Sequence, residues 1–179
     1  MKTLSGRDAI KAILRGDKFL DGMVVKGSFC IYDCPWLISL PKGMTVTGYL
    51  EIRNCPALTS LPKGLRIGAY LSIHSCPALT SLPKGLRVGG YLSIRSCPAL
   101  TSLPKELGVG GNLYIQAKKV IIDGGRVSIE CATHTLAEWE AMSDAELLKL
   151  HPDALDIKAQ YGNIIRQFVQ MKQGTEGRQ

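Results

Sequence analysis

The sequence is poor in aromatics, in acids and in histidine. Phe, Trp and Tyr make up 6% of the 179 residues, against 19 glycines. A core so short of rings and so rich in glycine suits a tightly wound repeat better than a compact globule. Asp and Glu number 15 against 22 Lys and Arg, a formal charge of +7. With 45% apolar residues the chain is neither disordered nor membrane-like in composition. No stretch approaches the ~20 apolar residues of a membrane span. The first eight residues, Met1 to Asp8, gain charge where a secretion signal needs an apolar run. A cytoplasmic location is therefore expected, and the six cysteines read as reduced thiols rather than disulfides.

Chemical motifs are also missing. The three histidines, His74, His134 and His151, have no Ser, Cys or carboxylate beside them in a recognised nucleophile pattern. Cys131 is the one cysteine to consider as a nucleophile. Zinc sites need paired ligands such as Cys-x-x-Cys, whereas Cys131 and His134 make one half-site without a second. No Gly-rich loop leads into a helix to cradle phosphates. The expectation is a protein without catalytic activity, metal or cofactor.

What is present is a repeat. Cys34, Cys55, Cys76 and Cys97 lie 21 residues apart, each followed by proline. Two turns read Cys-Pro-Ala-Leu-Thr-Ser-Leu-Pro-Lys-Gly-Leu-Arg, from Cys55 and from Cys76. The turn from Cys34 diverges at Trp36, Ile38 and Met44, and the turn from Cys97 has Glu106 in place of glycine. Each turn carries one alternating segment: Leu50-Glu51-Ile52, Leu71-Ser72-Ile73, Leu92-Ser93-Ile94, Leu113-Tyr114-Ile115. Period-two alternation predicts a strand with one buried face. The phase extends back to Phe29-Cys30-Ile31 and forward to a shortened turn at Val127-Ser128-Ile129. This predicts an α+β solenoid of about six parallel strands spaced ~4.8 Å. Pro and Gly in each Leu-Pro-Lys-Gly segment forbid a long helix on the return path.

The spacing Leu71-x-Ile73-x-x-Cys76-x-x-Leu79-x-x-Leu82-Pro83 resembles a leucine-rich repeat, with Cys where Asn is commonest. The full turn resembles the short class of these repeats found in bacterial effectors and in phage and prophage proteins, and the likeness covers residues 24 to 130. It implies a horseshoe fold with a concave strand face and a binding role. Effectors of this class can carry a ubiquitin-ligase domain after the repeats. Residues 132 to 179 are too few for that domain, and the activity is not carried over. The stretch from His134 to Trp139, followed by Ser143 to Leu147, is similar to a helical tail of phage and prophage repeat proteins. That likeness implies a mobile-element origin and names no chemistry; together with the small size of the chain it leads to a sharper expectation, a phage-encoded inhibitor of a bacterial defence system, such as an anti-CRISPR, acting by steric masking in the host cytoplasm.

A solenoid exposes an apolar face at each end and needs caps. Residues 1–23 are expected to form an N-terminal helical cap, 24–131 the solenoid, 132–172 a C-terminal helical cap and 173–179 a disordered tail. Ser5 with Asp8 predicts a helix over residues 6 to 15, with Ile10, Ile13 and Leu14 facing the first turn. Thr135 with Glu138, and Ser143 with Glu146, form capping boxes for two more helices. A third starts after Pro152. Its seam of Ile157, Tyr161, Ile164, Phe168 and Met171 packs on the domain's own core or on a second copy.

The outward residues of the strands stack into columns. One reads Ser28, Tyr49, Tyr70, Tyr91, Asn112. The next reads Cys30, Glu51, Ser72, Ser93, Tyr114, and the third Tyr32, Arg53, His74, Arg95, Gln116. Tyr and Arg are enriched at protein interface hot spots, so this strip is the candidate partner-binding face, for a protein with an acidic or mixed surface. Tyrosines one strand apart also pack simply as neighbours. A second ladder, Lys42, Lys63, Lys84 and Lys105 with Arg66 and Arg87, could follow a nucleic-acid backbone or serve as a solvated face. Residues 34 to 107 carry eight bases and two acids, hence +6 of the +7. Three readings follow: protein binding through the strip, nucleic-acid binding along the lysines, and self-association through the last helix.

Overall fold

The computed structural model describes residues 3–15, 20–115, 120–123, 125–130 and 132–176. A short strand β1 (Thr3–Ser5) leads into helix α1 (Gly6–Leu14). The chain then winds through β2 (Val24–Lys26), β3 (Phe29–Tyr32), β4 (Thr45–Val46), β5 (Leu50–Arg53), β6 (Arg66–Ile67), β7 (Leu71–His74), β8 (Arg87–Val88), β9 (Leu92–Arg95), β10 (Gly108–Val109) and β11 (Leu113–Ile115). Three further strands follow, β12 (Val120–Asp123), β13 (Arg126–Ile129) and β14 (Ala132–Thr135). Helices α2 (Leu136–Ala141), α3 (Asp144–Leu150) and α4 (Ala154–Glu176) close the chain.

Each 21-residue turn passes through two sheets. The narrow one runs β1-β2-β4-β6-β8-β10, all parallel. The wide one contains β3, β5, β7, β9 and β11, also parallel, in a register of one repeat per strand: Leu50 faces Leu71, Leu71 faces Leu92 and Leu92 faces Leu113. Alternation then buries every leucine and isoleucine of these strands, from Leu50 and Ile52 to Leu113 and Ile115. Leu58, Leu79 and Leu100 fill the space behind them. After each of β3, β5, β7 and β9 one residue (Asp33, Asn54, Ser75 or Ser96) takes a left-handed φ of 51–53° and swings the chain inward. The next residue is the repeated cysteine. Its thiol donates back to the carbonyl two residues earlier, as from Cys76 to His74 at 3.5 Å and from Cys97 to Arg95 at 3.3 Å.

The expected sixth parallel turn is absent, so the parallel part of the wide sheet has five strands. Val127-Ser128-Ile129 does form a strand with Val127 and Ile129 buried, but β13 runs antiparallel to β12 and β14. Asp123 pairs with Arg126 and Ile129 with Ala132, so two residues separate the partners in each case. Such spacing closes hairpins. Gly125 and Glu130 have φ of 85° and 52° there.

Both ends are capped. At the N-terminus β1 adds a strand to the narrow sheet, and Ser5 caps α1 by accepting from the Asp8 amide. Ala9 and Ala12 are buried, with Ile10 and Ile13 packed beside them; the Leu14 side chain lies outside the described residues. At the C-terminus both capping boxes form, Thr135 with Glu138 and Ser143 with Glu146. The α4 seam is buried at Ile157, Tyr161, Ile164 and Phe168, and Met171 packs against the same core. The helix also satisfies backbone groups of the last turn, which has no following turn to bond. Asn163 donates to the Thr101 carbonyl (2.9 Å), and Gln167 accepts from the Leu103 amide (2.6 Å). The Tyr161 hydroxyl accepts from the Cys97 amide (3.4 Å), and Lys172 donates to the Val109 carbonyl (2.8 Å). Helix α4 extends to Glu176, so residues 173–176 belong to the cap rather than to a tail; 177–179 lie outside the described residues.

Candidate partner-binding face

Strands β5, β7 and β9 place the strip. Their inward leucines and isoleucines leave Glu51, Ser72 and Ser93 in one outward column and Arg53, His74 and Arg95 in the next. Cys30 and Tyr32 extend these columns at one end, and Tyr114 continues the first at the other. Gln116 lies outside the described residues. The residues just before the strands form the third column. Tyr49 and Tyr70 stack with ring centroids 4.5 Å apart and planes 5° from parallel, and Tyr70 and Tyr91 at 4.6 Å and 4°. That separation is the strand spacing of a sheet, so the stack is imposed by the fold. Tyr91 then meets Tyr114 edge-on at 5.1 Å. Of six tyrosines in the sequence, Tyr32, Tyr49, Tyr70, Tyr91 and Tyr114 lie on this one face, which makes it the aromatic surface of a ring-poor molecule.

The two arginines differ. Arg53 is ion-paired with Glu51 on its own strand, and its guanidinium lies 5.6 Å from the Tyr32 ring centroid. The Tyr32 hydroxyl donates to the other Glu51 oxygen at 2.5 Å. Hydrogen bonding with Cys30 and with Glu51 holds the Tyr32 phenol protonated, and the Glu51 hydrogen bond raises the Arg53 pKa further. This end of the strip is electrically closed. Arg95 has Ser93 where Arg53 has Glu51, and its guanidinium makes no hydrogen bond or ion pair among the described residues. His74 sits between the arginines. Partial burial lowers its pKa, Arg95 and Arg53 lower it further, and Glu51 opposes them. The imidazole is therefore biased to the neutral form. Between the tyrosine stack and the His74–Arg95 row lies an open trough of about 410 Å³ with Ser72 and Ser93 in its lining.

The second basic ladder occupies another face. Lys42, Lys63, Lys84 and Lys105 are exposed, one per turn, with hydrogen bonds such as Gly43 to the Lys63 carbonyl (2.9 Å) joining adjacent turns. Arg66 and Arg87 stand in register on β6 and β8, and Arg87 donates to the Glu106 carbonyl at 3.2 Å. A groove of about 760 Å³ runs beside the row, lined by repeated Ser, Leu, Pro and Lys and by no aromatic residue.

The cysteine column is buried from Cys55 to Cys97, and the five described cysteines are free thiols. Hydrogen bonding with Cys76 and burial push the Cys55 thiol far above its ordinary value. Among the described residues no group of three or more His, Cys, Asp or Glu converges as metal ligands would, and no helix is long and apolar enough to cross a membrane.

Sequence reasoning gathered the strip residues in the correct columns but missed two features. The Tyr32–Glu51–Arg53 network was hinted at by the i, i+2 spacing of acid and base on one strand face. The exposed pair Trp36 and Ile38, in the diverged first turn, was visible as a departure from the Ala and Thr of the other repeats.

No family model, no curated protein and no solved structure matches this chain.

Proposed function

We propose that the chain is a non-enzymatic protein-binding module that docks through the tyrosine–arginine strip onto an acidic or mixed surface of a larger protein. The observation that supports this most is the gathering of five tyrosines on one open face beside an Arg95 guanidinium that has no hydrogen bond or ion pair among the described residues. Stacked rings are rigid, so little conformational entropy is lost when they are covered, and each offers a large contact area. The paired strands hold the face preorganised, which lowers the cost of association. A phage-encoded inhibitor that masks a bacterial defence complex is the specific form suggested by the likeness of residues 134–147 to phage repeat proteins.

Nucleic-acid binding is the second reading, supported by the aligned Lys42, Lys63, Lys84 and Lys105. Its groove offers no ring on which a base could stack, and it ranks below the strip. Self-association through α4 would require the seam to leave its own core, because Ile157, Tyr161, Ile164 and Phe168 are already buried.

The test is capture from bacterial lysate with and without nuclease, using the wild-type chain and an Arg53→Glu/Arg95→Glu variant. One protein retained in stoichiometric amount after nuclease by the wild type, and lost by the variant, supports the reading. Retention that vanishes with nuclease transfers the function to the lysine ladder.

A further inference from the structure

The trough between the tyrosine stack and the His74–Arg95 row has an unused set of polar groups. The Arg95 guanidinium, the His74 imidazole and the Ser72 and Ser93 hydroxyls take no hydrogen bond or ion pair among the described residues. They lie on adjacent strands, with Ser72 opposite Ser93 and His74 opposite Arg95. The pairs are therefore about 4.8 Å apart along the sheet. One turn away the same positions are Glu51 and Arg53, and there the protein fills the arrangement itself: a carboxylate lies against the arginine and accepts from the Tyr32 hydroxyl. At the β7–β9 position the carboxylate is missing and serine leaves its space open.

We propose that this trough is an oxyanion subsite that seats an Asp or Glu carboxylate of the partner protein between the His74 imidazole and the Arg95 guanidinium, over the Ser72 and Ser93 hydroxyls. The proposal rests on the strip being the docking face. Charge selects a carboxylate over a phosphate. Glu51 already neutralises Arg53, so the free charge of the subsite is the single cation of Arg95 beside a neutral imidazole, which matches a monoanion. A planar carboxylate also meets the two-pronged guanidinium donor in a bidentate fit.

His74 provides the readout. The groups that face it are Arg53 and Glu51 on β5, Arg95 on β9 and Ser72 on its own strand. In the free protein burial and the two arginines hold it below its ordinary value. A carboxylate seated beside it adds an opposite charge and favours the imidazolium. Binding is therefore coupled to proton uptake and strengthens as the pH falls toward the His74 pKa.

The experiment is an NMR pH titration of the histidine ring signals of the full chain, with His74 identified by the signal that His74→Gln removes. The probes are an end-blocked hexaglutamate peptide, inorganic phosphate and oligothymidylate. Hexaglutamate should raise the His74 midpoint by about 1 pH unit, leave His134 and His151 unmoved, and lose its effect in Arg95→Gln. The Arg95 side chain is exposed and has no hydrogen bond or ion pair among the described residues, so that variant keeps the fold. An unmoved His74, or an equal shift in Arg95→Gln, overturns the subsite. A shift produced by phosphate or oligothymidylate but not by hexaglutamate overturns the carboxylate assignment. The two levels fail separately. A partner captured by the wild type and lost by the charge-reversed variant, with His74 unmoved by hexaglutamate, removes the subsite and keeps the docking face. A responsive His74 with no partner captured does the reverse.

Discussion

Asp33, Asn54, Ser75 and Ser96 turn the chain after β3, β5, β7 and β9 with a left-handed backbone. Asp and Asn visit this region more readily than serine does, because a short polar side chain can bond locally there. Asn54 also donates to the Asp33 side chain at 2.8 Å across one turn, the first step of a polar ladder that the serines interrupt. Ser75→Asn and Ser96→Asn should each stabilise the fold by about 0.5–1 kcal/mol, read as a higher urea midpoint with unchanged slope. A lower midpoint would contradict the ladder. The columns of the strip were legible in the sequence, since a period of two sets which way each side chain points and a period of 21 sets what it stacks on. The closure of Glu51 by both Arg53 and Tyr32 was not legible. It depends on where long side chains reach across neighbouring turns, and neither period encodes that.

At the scale of the element, the tight stacking of turns depends on the glycines that precede the wide strands. A Cβ built on Gly89 would lie 2.1 Å from the Gly68 carbonyl oxygen, and one on Gly110 equally close to that of Gly89. At Gly90 the nearest contact is 3.2 Å, and the preceding repeat already has Ala69 in that position. Gly89→Ala should destabilise the protein by about 3 kcal/mol, whereas Gly90→Ala should shift it by under about 0.5 kcal/mol. Denaturant unfolding of the pair measures the contrast, and equal effects would contradict the stacking. The glycine pairs Gly89-Gly90 and Gly110-Gly111 are visible in the sequence, but nothing there separates the member that cannot change from the one that can. The sequence also showed Asp123-Gly124-Gly125, a hairpin signature. The Val-Ser-Ile alternation that follows was assigned to another parallel turn, because alternation alone carries no strand direction.

For the whole molecule, the open end of the solenoid decides its solution behaviour. Helix α4 covers the last turn with Ile157, Tyr161, Ile164 and Phe168 and bonds the carbonyls and amides that a further turn would have used. Truncation after Pro152 should therefore cause self-association by baring an apolar end and unpaired backbone. Light scattering should show a mass that rises with concentration for the truncated chain and stays constant for the full one. The reverse would restore α4 as an association helix. Both caps were legible, because capping boxes and a four-three seam are local signals. The added strand β1 was not, since Thr3–Ser5 is too short to show a period.

The central claim, that the strip and not the lysine ladder meets the partner, is tested most directly by equilibrium affinity for the captured protein. Arg53→Glu/Arg95→Glu and Lys63→Glu/Lys84→Glu would be measured beside the wild type, each variant shown by circular dichroism to keep the fold. The arginine pair should lose about 100-fold or more, the scale of removed hot spots, and the lysine pair less than about 3-fold. A folded arginine variant that binds like the wild type, or a larger loss from the lysine pair, would contradict the claim.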